Sequence, residues 1–363
     1  MKVMTILGTR PEIIRLSLLI QKLDTLAGRH ILVHTGQNYD RSLSDLFFDE
    51  MKIRKPDHHI QLAGHSFGTQ VAGMFGEVER LLQQEKPDRL LVLGDTNSAL
   101  CAVIGERMGI PVYHMEAGNR CYDTTVPEEI NRKIIDSVAS YNLPYTKLSR
   151  ENLLREGAVP TRIWVSGNPI YEVMEHYKSE IDGRDVLTRL GLSKGDYVVV
   201  TAHRAENVDR EERLRSIMDG LRRTAEQLSL PVLCSVHPRT RSRLASFGMN
   251  AIHPSVRLCE PFGFFDFVHL QKHARCVITD SGTVQEESCL LGVPAVTIRR
   301  STERPETILC GSNILSGLDA ANIAHCVETM IHSRHTWEAP EGYRDPHVST
   351  KVAQFVLGGL HYV

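Results

Sequence analysis

The sequence predicts an α/β protein made of two Rossmann-like αβα domains. A chain of 363 residues is longer than one hydrophobic core usually supports, so two domains are expected. Short apolar runs alternate with segments of helical periodicity, which indicates parallel sheets. The alternation restarts after the turn-forming tripeptide at 167–169. We therefore expect domains at 1–168 and 169–347 that face each other across a cleft, with a C-terminal helix within 348–363 packing back on the first.

The first half contains six apolar runs of strand length. They predict strands at 3–7, 30–34, 89–93, 111–114, 142–144 and 162–165. The clearest helix is predicted at 69–84, where apolar residues recur at the i, i+3, i+4 spacing. These residues are Val71, Met74, Phe75, Val78, Leu81 and Leu82. We interpret that stripe as core packing against the sheet.

The second half repeats the pattern. Strands are predicted at 196–201, 231–236, 256–259, 276–279, 294–298 and 313–315, and helices at 210–228, 282–291, 320–331 and 350–360. The charged and less periodic segment at 177–194 is typical of an interdomain connection.

The bulk composition excludes several classes of protein. A net charge of −2 gives no general attraction to nucleic acid or anionic membranes. No apolar run approaches the roughly 20 residues that span a bilayer, and the N-terminal apolar run is interpreted as a strand, not a signal peptide. The eight scattered cysteines favour free thiols in the cytoplasm. Cys234 and His237 lack two further ligands, so no metal site is expected.

A dense group of charged residues follows the strand predicted at 111–114. Glu116, Arg120, Glu128, Glu129 and Arg132 lie where the strands of such a sheet present their ligand-binding edge. Carboxylates are costly at the end of a buried strand unless they have partners. Either the arginines neutralise them in a structural ion network, or the carboxylates act as general acids and bases.

Two further strand ends in the first half carry polar residues. Gly8-Thr9-Arg10-Pro11-Glu12 opens a helix after the first strand, so that backbone N–H groups and Arg10 form an anion pocket, or a solvated loop with a surface arginine. Asp95 follows the strand at 89–93 and is either a helix cap or a catalytic carboxylate. Neither a dinucleotide fingerprint nor a P-loop motif occurs.

The second half has candidate residues at equivalent places. His203 and His237 end successive predicted strands and are suited to holding phosphate or sugar hydroxyls, or to moving protons. Asp280-Ser281-Gly282-Thr283 leads into a helix whose N-terminus is a potential phosphate cradle. Glu287 lies farther along that helix, where it can reach ribose hydroxyls, and Arg304 precedes another helix start.

These motifs, in this order, resemble the non-hydrolysing UDP-N-acetylglucosamine 2-epimerase family. The matching stretches are GTRPEIIR, GDTNS, HMEAGNR, VPEEINR, TAHR, SVHP, TDSGTVQEES, LGVP and STERPE. The resemblance implies the two-domain glycosyltransferase-B architecture, a homodimer, and catalysis without nicotinamide or metal. It also implies anti elimination of UDP to a 2-acetamidoglycal, followed by re-addition with C2 inverted.

The resemblance also implies roles for individual residues. Asp95, Glu116 and Glu128 match the acid/base residues, and His203 matches a further catalytic or substrate-orienting residue. Glu287 matches the ribose-binding acid, and Phe267 lies near the uracil position. The positions that hold UDP phosphates or support the substrate are matched by Arg10, Arg15, Arg132, His237, Ser281, Gly282, Thr283 and Arg304.

Some residues depart from the family pattern. Arg15 stands where lysine is common, and Phe262 replaces a glutamine near the uracil. The segment GQNYD differs from the pattern that contributes to an allosteric UDP-GlcNAc site in some members. The sequences of the segments GQNYD, AGNRC and VPEEINRK resemble more closely a branch that epimerises modified UDP-sugars. Such enzymes serve surface polysaccharide synthesis. Examples are the UDP-N-acetyl-L-fucosamine-forming enzyme and the UDP-2,3-diacetamido-glucuronate epimerase.

The leading hypothesis is therefore a cytoplasmic 2-epimerase that acts on a UDP-N-acetylhexosamine. The alternatives are a UDP-sugar-dependent glycosyltransferase of the same fold, which has no need of carboxylates around C2, and a sugar-nucleotide-binding protein without catalysis. The joint presence of the acids, Arg10, Ser281 and Glu287 favours the epimerase.

Overall fold

Two six-stranded sheets, each entirely parallel, are present in the computed structural model, which describes residues 1–37, 41–62, 66–249, 253–333 and 336–358, with the backbone alone at 41–44. The predicted α/β class with two Rossmann-like sheets is confirmed. The central strands of each sheet are short runs of apolar, often β-branched residues that are buried on both faces, as parallel strands covered by helices must be.

The chain divides into two compact units. The first consists of Met1–Glu175 with Glu341–Val363, and the second of His176–Pro340. The first boundary lies at the end of a helix, beyond the predicted position at 168/169, and the return to the first unit comes before the predicted 347/348.

The first unit has strand order β3-β2-β1-β4-β5-β6. Its strands are β1 Lys2–Leu7, β2 Arg29–His34, β3 His58–His59, β4 Arg89–Leu93, β5 Val112–Met115 and β6 Tyr141–Leu143. Its helices are α1 Arg10–Leu26, α2 Arg41–Glu50, α3 Phe67–Glu85, α4 Ala102–Arg107, α5 Pro127–Val138, α6 Lys147–Arg155 and α7 Pro169–His176, with 3-10 helices at Ser98–Cys101 and Pro160–Arg162.

The second unit has strand order β12-β11-β10-β7-β8-β9. Its strands are β7 Val198–Thr201, β8 Val232–Ser235, β9 Val256–Cys259, β10 Cys276–Thr279, β11 Ala295–Thr297 and β12 Asn313–Leu315. Its helices are α8 Lys178–Asp182, α9 Val186–Leu190, α10 Ala205–Val208, α11 Glu211–Leu228, α12 Pro238–Ser246, α13 Phe264–Lys272, α14 Gly282–Leu291, α15 Pro305–Leu309 and α16 Ala320–His332.

Both sheets have the Rossmann strand order, which reverses direction once. In the first unit this switch lies between β1 and β4, and in the second between β7 and β10. Ligands of such sheets bind beyond the carboxyl ends of the strands at the switch. The loops that follow these four strands are therefore the places to look for a site in each unit.

The last helix, α17 Val348–Gly358, belongs to the first unit and packs against α1. Phe355 stacks on Trp164, with ring centroids 4.5 Å apart, and contacts Tyr113 and Tyr141 edge-on. This aromatic cluster attaches the C-terminal segment to strands β5 and β6.

Two predicted features differ from the structure, and one observed strand was not predicted. Pro160 begins a 3-10 helix, so the strand predicted at 162–165 is reduced to a single bridge between Ile163 and Asn142. The predicted connection at 177–194 contains helices α8 and α9 of the second unit. Strand β3, with two residues, is too short to leave a sequence pattern. Within the described ranges, no helix has the length and apolarity needed to cross a membrane.

Candidate active site

The loop between β1 and α1 is organised by Glu12. The sequence Thr9-x-x-Glu12 forms a capping box at the start of α1, with Pro11 in the first turn. The Glu12 Oε2 atom accepts hydrogen bonds from Gly8 N (3.0 Å), Thr9 N (2.8 Å) and Thr9 Oγ1 (2.7 Å). The adjacent Arg10 guanidinium lies over the ring of Phe47, 5.7 Å from its centroid. The hydrogen bonds of Glu12 thus fix the conformation of the loop that is predicted to bind an anion.

Glu12 also joins this loop to the one after β4. Its Oε1 atom accepts a hydrogen bond from Thr96 Oγ1 at 2.9 Å, and Thr96 follows Asp95. Burial raises the pKa of the Glu12 carboxyl to about 7, although the hydrogen bonds from Thr9, Gly8 and Thr96 oppose the shift. The two loops at the switch point therefore share one buried carboxyl group that titrates near neutrality.

Asp95 is held by Arg132 of α5. The Arg132 Nε donates to Asp95 Oδ2 at 3.1 Å, and its Nη2 donates to the same oxygen. The guanidinium also donates through Nη1 to Glu129 Oε2 at 2.7 Å. The Asp95 side chain keeps about a fifth of its surface accessible to solvent. Asp95 is therefore an oriented carboxylate at the end of β4, not a helix cap.

Glu116 follows the neighbouring strand β5 and pairs with Arg15 of α1. Its backbone is left-handed, with φ at 67°. The Glu116 carboxyl group lies beside Gly94, whose backbone is also left-handed, with φ at 73°. Arg15 occupies the position where the family commonly has lysine. Its guanidinium thus contacts a candidate acid.

The two adjacent glutamates of α5 have different environments. Glu129 is fully buried and accepts hydrogen bonds from the backbone N–H groups of Cys121 (3.0 Å) and Tyr122 (3.2 Å), as well as from Arg132. Glu129 is therefore neutralised by an arginine in a structural ion network, one of the two alternatives for this cluster. Glu128 is only half-buried in the first turn of α5, where a helix N-terminus favours negative charge.

Arg120 does not neutralise the glutamates of this cluster, which corrects the ion-network interpretation for that residue. Its guanidinium instead contacts Asp136 Oδ2 at 2.7 Å and Glu156 Oε1 at 2.8 Å. The bend that carries it requires Gly118, with φ at 77°, where a Cβ atom would lie 2.2 Å from Ser149 O. Arg120 therefore stabilises the loop that follows Glu116 through its contacts with Asp136 and Glu156.

In the second unit, His203 and Asp280 meet at the switch point. Asp280 follows β10 and accepts hydrogen bonds from the backbone N–H groups of His203 (3.0 Å) and Arg204 (3.0 Å). The His203 Nδ1 lies 3.2 Å from Asp280 Oδ1. Burial alone would raise the pKa of Asp280, but His203 and Arg204 hold it at about 2. Asp280 is therefore a permanent anion that orients a half-exposed imidazole.

The Ser281-Gly282-Thr283 turn begins α14 beside this pair. Ser281 is the N-cap residue, and its side chain makes no capping hydrogen bond. A Cβ atom on Gly282 would lie 2.6 Å from Glu303 Oε1, so only glycine fits at this contact. The start of a ten-residue helix has N–H groups without intrahelical partners and attracts anions.

A buried group of charges supports that helix. Glu303 accepts hydrogen bonds from Arg299 Nη1 at 2.7 Å and Arg204 Nη2 at 3.1 Å. Arg304 pairs through Nε with Glu286 Oε1 at 2.5 Å. The arginines and glutamates are all buried or nearly so, and such charges persist only when paired. Arg304 is thereby fixed close to α14.

The remaining predicted residues of this unit are Glu287, His237 and Phe267. Glu287 is buried on α14 and accepts a hydrogen bond from Gln271 Nε2 at 2.6 Å. His237 is the N-cap of α12, where its Nδ1 accepts from Arg239 N at 3.3 Å. Its ring centroid lies 6.2 Å from that of His203. Phe267 packs partly buried against the core formed around β7 and β10.

Three residues that organise these loops were not among the predicted site residues: Glu12, Asp280 and Arg299. The capping-box pattern Thr9-x-x-Glu12 was a readable signal for the first, and the aspartate that ends β10 lies within a motif that was singled out. Arg299 pairs with Glu303, four residues later, but the two residues lie outside any helix, so helical spacing gives no signal for this pair.

The eight cysteines are free thiols. Among the residues with described placement, no group of three histidine, cysteine, aspartate or glutamate side chains is arranged to hold a metal ion.

Comparison with known proteins assigns the chain to a family. The family model described as UDP-N-acetylglucosamine 2-epimerase matches residues 21–357. A Methanocaldococcus jannaschii UDP-N-acetylglucosamine 2-epimerase is 38% identical over 349 residues, covering 94% of this chain and 95% of that protein.

A second relative and a solved structure agree with this assignment. A Pseudomonas aeruginosa UDP-2,3-diacetamido-2,3-dideoxy-D-glucuronate 2-epimerase is 32% identical over 98% of this chain and 99% of its own length. The crystal structure of the M. jannaschii enzyme in complex with UDP-GlcNAc and UDP has a TM-score of 0.94, with 36% identity, and covers 99% of this chain and 100% of that one. This chain therefore belongs to the UDP-N-acetylglucosamine 2-epimerase family of isomerases, as its motifs predict.

Proposed function

We propose that this protein inverts C2 of a UDP-N-acetylhexosamine. A base removes the C2 proton while the bond between C1 and the UDP oxygen breaks, which gives UDP and a 2-acetamidoglycal. A proton is then delivered to the opposite face of C2, and UDP adds back to C1. The atoms balance without any redox cofactor.

The observation that carries this proposal is the pair Asp95 and Glu116 at the ends of neighbouring strands β4 and β5. Each is oriented by an arginine, Arg132 and Arg15 respectively. Inversion at C2 needs proton-transfer groups on both faces of the sugar, so more than one carboxyl group is required. We assign the proton transfers to Asp95, Glu116 and the half-buried Glu128, with Arg10, Arg15 and Arg132 balancing charge.

The second unit supplies the features that UDP requires. The start of α14, at Ser281, Gly282 and Thr283, is suited to a diphosphate, and Arg304 lies buried beside Glu286 of that helix. Further UDP contacts are assigned to Glu287 for the ribose, Phe267 for the uracil, and His237. His203, oriented by Asp280, is assigned as a further catalytic or substrate-orienting residue.

The test is hydrogen exchange at C2. The protein is incubated in D2O with UDP-GlcNAc and with related UDP-2-acetamido sugars, and C2 is followed by NMR. Deuterium at C2 together with the 2-epimer is the expected result. Binding of the UDP-sugars without exchange, across the whole panel, contradicts the proposal and favours the glycosyltransferase or the binding protein. Family membership already favours the epimerase over those two.

A second candidate substrate class is a modified UDP-sugar, such as the precursor of UDP-N-acetyl-L-fucosamine or a UDP-2,3-diacetamido-glucuronate. The P. aeruginosa relative, 32% identical, favours including it. Competition between UDP-GlcNAc and each modified sugar in one reaction distinguishes the two, because the ratio of kcat/KM values decides specificity.

We also propose a homodimer. Ile130 and Ile134, one turn apart on α5, are 51% and 41% exposed, and apolar side chains placed together on a surface helix favour association. Ile134→Asp is expected to shift the mass measured by light scattering from a dimer to a monomer. A wild-type protein that is monomeric at 100 µM would contradict this.

The expected location is the cytoplasm. All eight cysteines are free thiols, as they are in reducing compartments. Fractionation of the cells that make the protein tests this.

A further inference from the structure

His114 is a buried histidine that connects the segments carrying the two candidate acids, Asp95 and Glu116. It is on β5, two residues before Glu116, and its side chain is completely buried. Its Nε2 atom lies 2.8 Å from the carbonyl oxygen of Gly94, the residue before Asp95. A carbonyl oxygen only accepts, so Nε2 carries the proton and donates it. One buried ring thus connects the segments that bear both acids.

The other side of the ring faces Asp136 of α5. The His114 Nδ1 lies 2.9 Å from Asp136 Oδ1, an ion-pair contact with an angle poor for a hydrogen bond. Asp136 also accepts from Gly118 N at 3.1 Å and contacts Arg120 Nη1 at 2.7 Å. Burial alone would raise the pKa of Asp136, but His114 and Arg120 hold it below its usual range. The Nδ1 side of the His114 ring therefore contacts a carboxylate that Gly118 and Arg120 hold in place.

The bond to Gly94 acts on the orientation of Asp95. The peptide group that links Gly94 to Asp95 is planar, so fixing the Gly94 oxygen fixes the plane from which Asp95 projects. The Gly94 N–H group donates to Met115 O at 2.9 Å, so both polar groups of this glycine are tied to β5. Positioning errors of about 1 Å can cost about 100-fold in rate.

We propose that His114 is a positioning residue for the proton transfers, and that it acts through its Nε2–H bond to Gly94. This inference rests on the proposed epimerase function. It differs from a purely structural role, in which His114 only neutralises the buried Asp136.

Two isosteric amides separate these roles. In His114→Gln the amide nitrogen takes the place of Nε2 and can still donate to Gly94. In His114→Asn the amide nitrogen takes the place of Nδ1 and can reach only Asp136. We expect His114→Asn to lower kcat by about 10- to 100-fold with KM within about twofold, and His114→Gln to keep kcat within about threefold of wild type.

A third variant keeps the test decisive when His114→Asn does not fold. Asp136→Asn preserves the Nε2 donor and removes the anion, so it should lower the unfolding temperature while keeping kcat within about fivefold. Equal losses of kcat in His114→Gln and His114→Asn, or a loss in Asp136→Asn beyond that range, would overturn the inference. Failure of the proposed function is distinguishable, because the wild-type protein would then show no C2 exchange at all.

Discussion

Arg15 and Glu116 form an ion pair in which the two side chains are only 2% and 6% exposed. The partners come from α1 and from the end of β5, 101 residues apart in the sequence. The Arg15 guanidinium also lies over the ring of Tyr145, 5.8 Å from its centroid. A candidate catalytic acid is therefore paired with a buried cation at the edge of the first sheet.

Arg15→Met should lower the free energy of unfolding by about 3–5 kcal/mol, because it leaves the Glu116 carboxylate buried without its charge partner. Arg15→Lys should cost less, since it keeps the charge but not the planar guanidinium. Urea denaturation measures both. The matched control is Arg155→Met, which breaks an exposed pair with Glu151 and should change stability by less than about 1 kcal/mol. Equal effects at positions 15 and 155 would contradict the assignment.

Glu116→Gln and Asp95→Asn should each lower kcat by about 100-fold or more, the usual cost of losing an acid/base group. The amides keep the shape of the side chains, so circular dichroism should show an intact fold at the assay temperature. Glu116→Gln should nevertheless lower the unfolding temperature, because it removes the carboxylate that pairs with the buried Arg15. Turnover is measured by NMR of the 2-epimer. Glu151→Gln, an exposed carboxylate on α6, serves as the control and should leave kcat unchanged. Survival of turnover in both site variants means that other groups move the C2 proton.

The buried Glu12 should make the protein less stable as the pH rises. The pKa of its carboxyl is raised from 4.5 to about 7 in the folded state, so between these values the folded protein binds more protons than the unfolded chain. The free energy of unfolding therefore falls by about 3 kcal/mol in total as the pH rises through this window, and then levels off.

Glu12→Gln tests this pH effect. The difference in unfolding free energy between this variant and the wild type should change by about 3 kcal/mol between pH 4 and pH 8, in favour of the variant at high pH. Glu77→Gln, at an exposed position on α3, should show no such change. A difference that is the same at both pH values would show that Glu12 titrates normally.

Gly282→Ala should weaken UDP binding about tenfold, the equivalent of about 1.4 kcal/mol. The added Cβ would lie 2.6 Å from Glu303 Oε1, and Glu303 cannot move easily because Arg299 and Arg204 hold it. Titration calorimetry with UDP measures the effect. Gly73→Ala on α3, where a Cβ meets nothing within 4 Å, should leave UDP affinity unchanged and raise stability slightly. Equal UDP affinities in the two variants would remove Gly282 from the proposed phosphate site.

Strands and long helices were predictable because their residues carry strong local patterns. β7, with three consecutive valines, and α11, predicted at 210–228 and observed at Glu211–Leu228, are examples. The strand predicted at 162–165 was wrong because Pro160 favours a tight helical turn. The pattern of hydrophobicity alone does not show that proline at this position favours a helical turn over a strand.

The candidate site was only partly predictable. Polar residues after β4, β5, β7 and β10 could be placed at the sheet edges from the parallel topology alone. The partners could not, since Arg15 and Glu116 are joined only by the fold. Residue type alone does not distinguish Glu128 from Glu129, and only the family resemblance assigns the acid/base role to Glu128. Adjacent helical residues point about 100° apart, and the structure gives Glu129 a structural contact to Arg132.

The left-handed backbone at Glu116, with φ at 67°, sets the proposed catalytic role of this residue against the stability of its backbone. A residue with a side chain costs about 1 kcal/mol more than glycine in that conformation, and glycine would remove the strain together with the carboxyl group. The chain therefore keeps a strained backbone at the residue to which we assign a proton transfer.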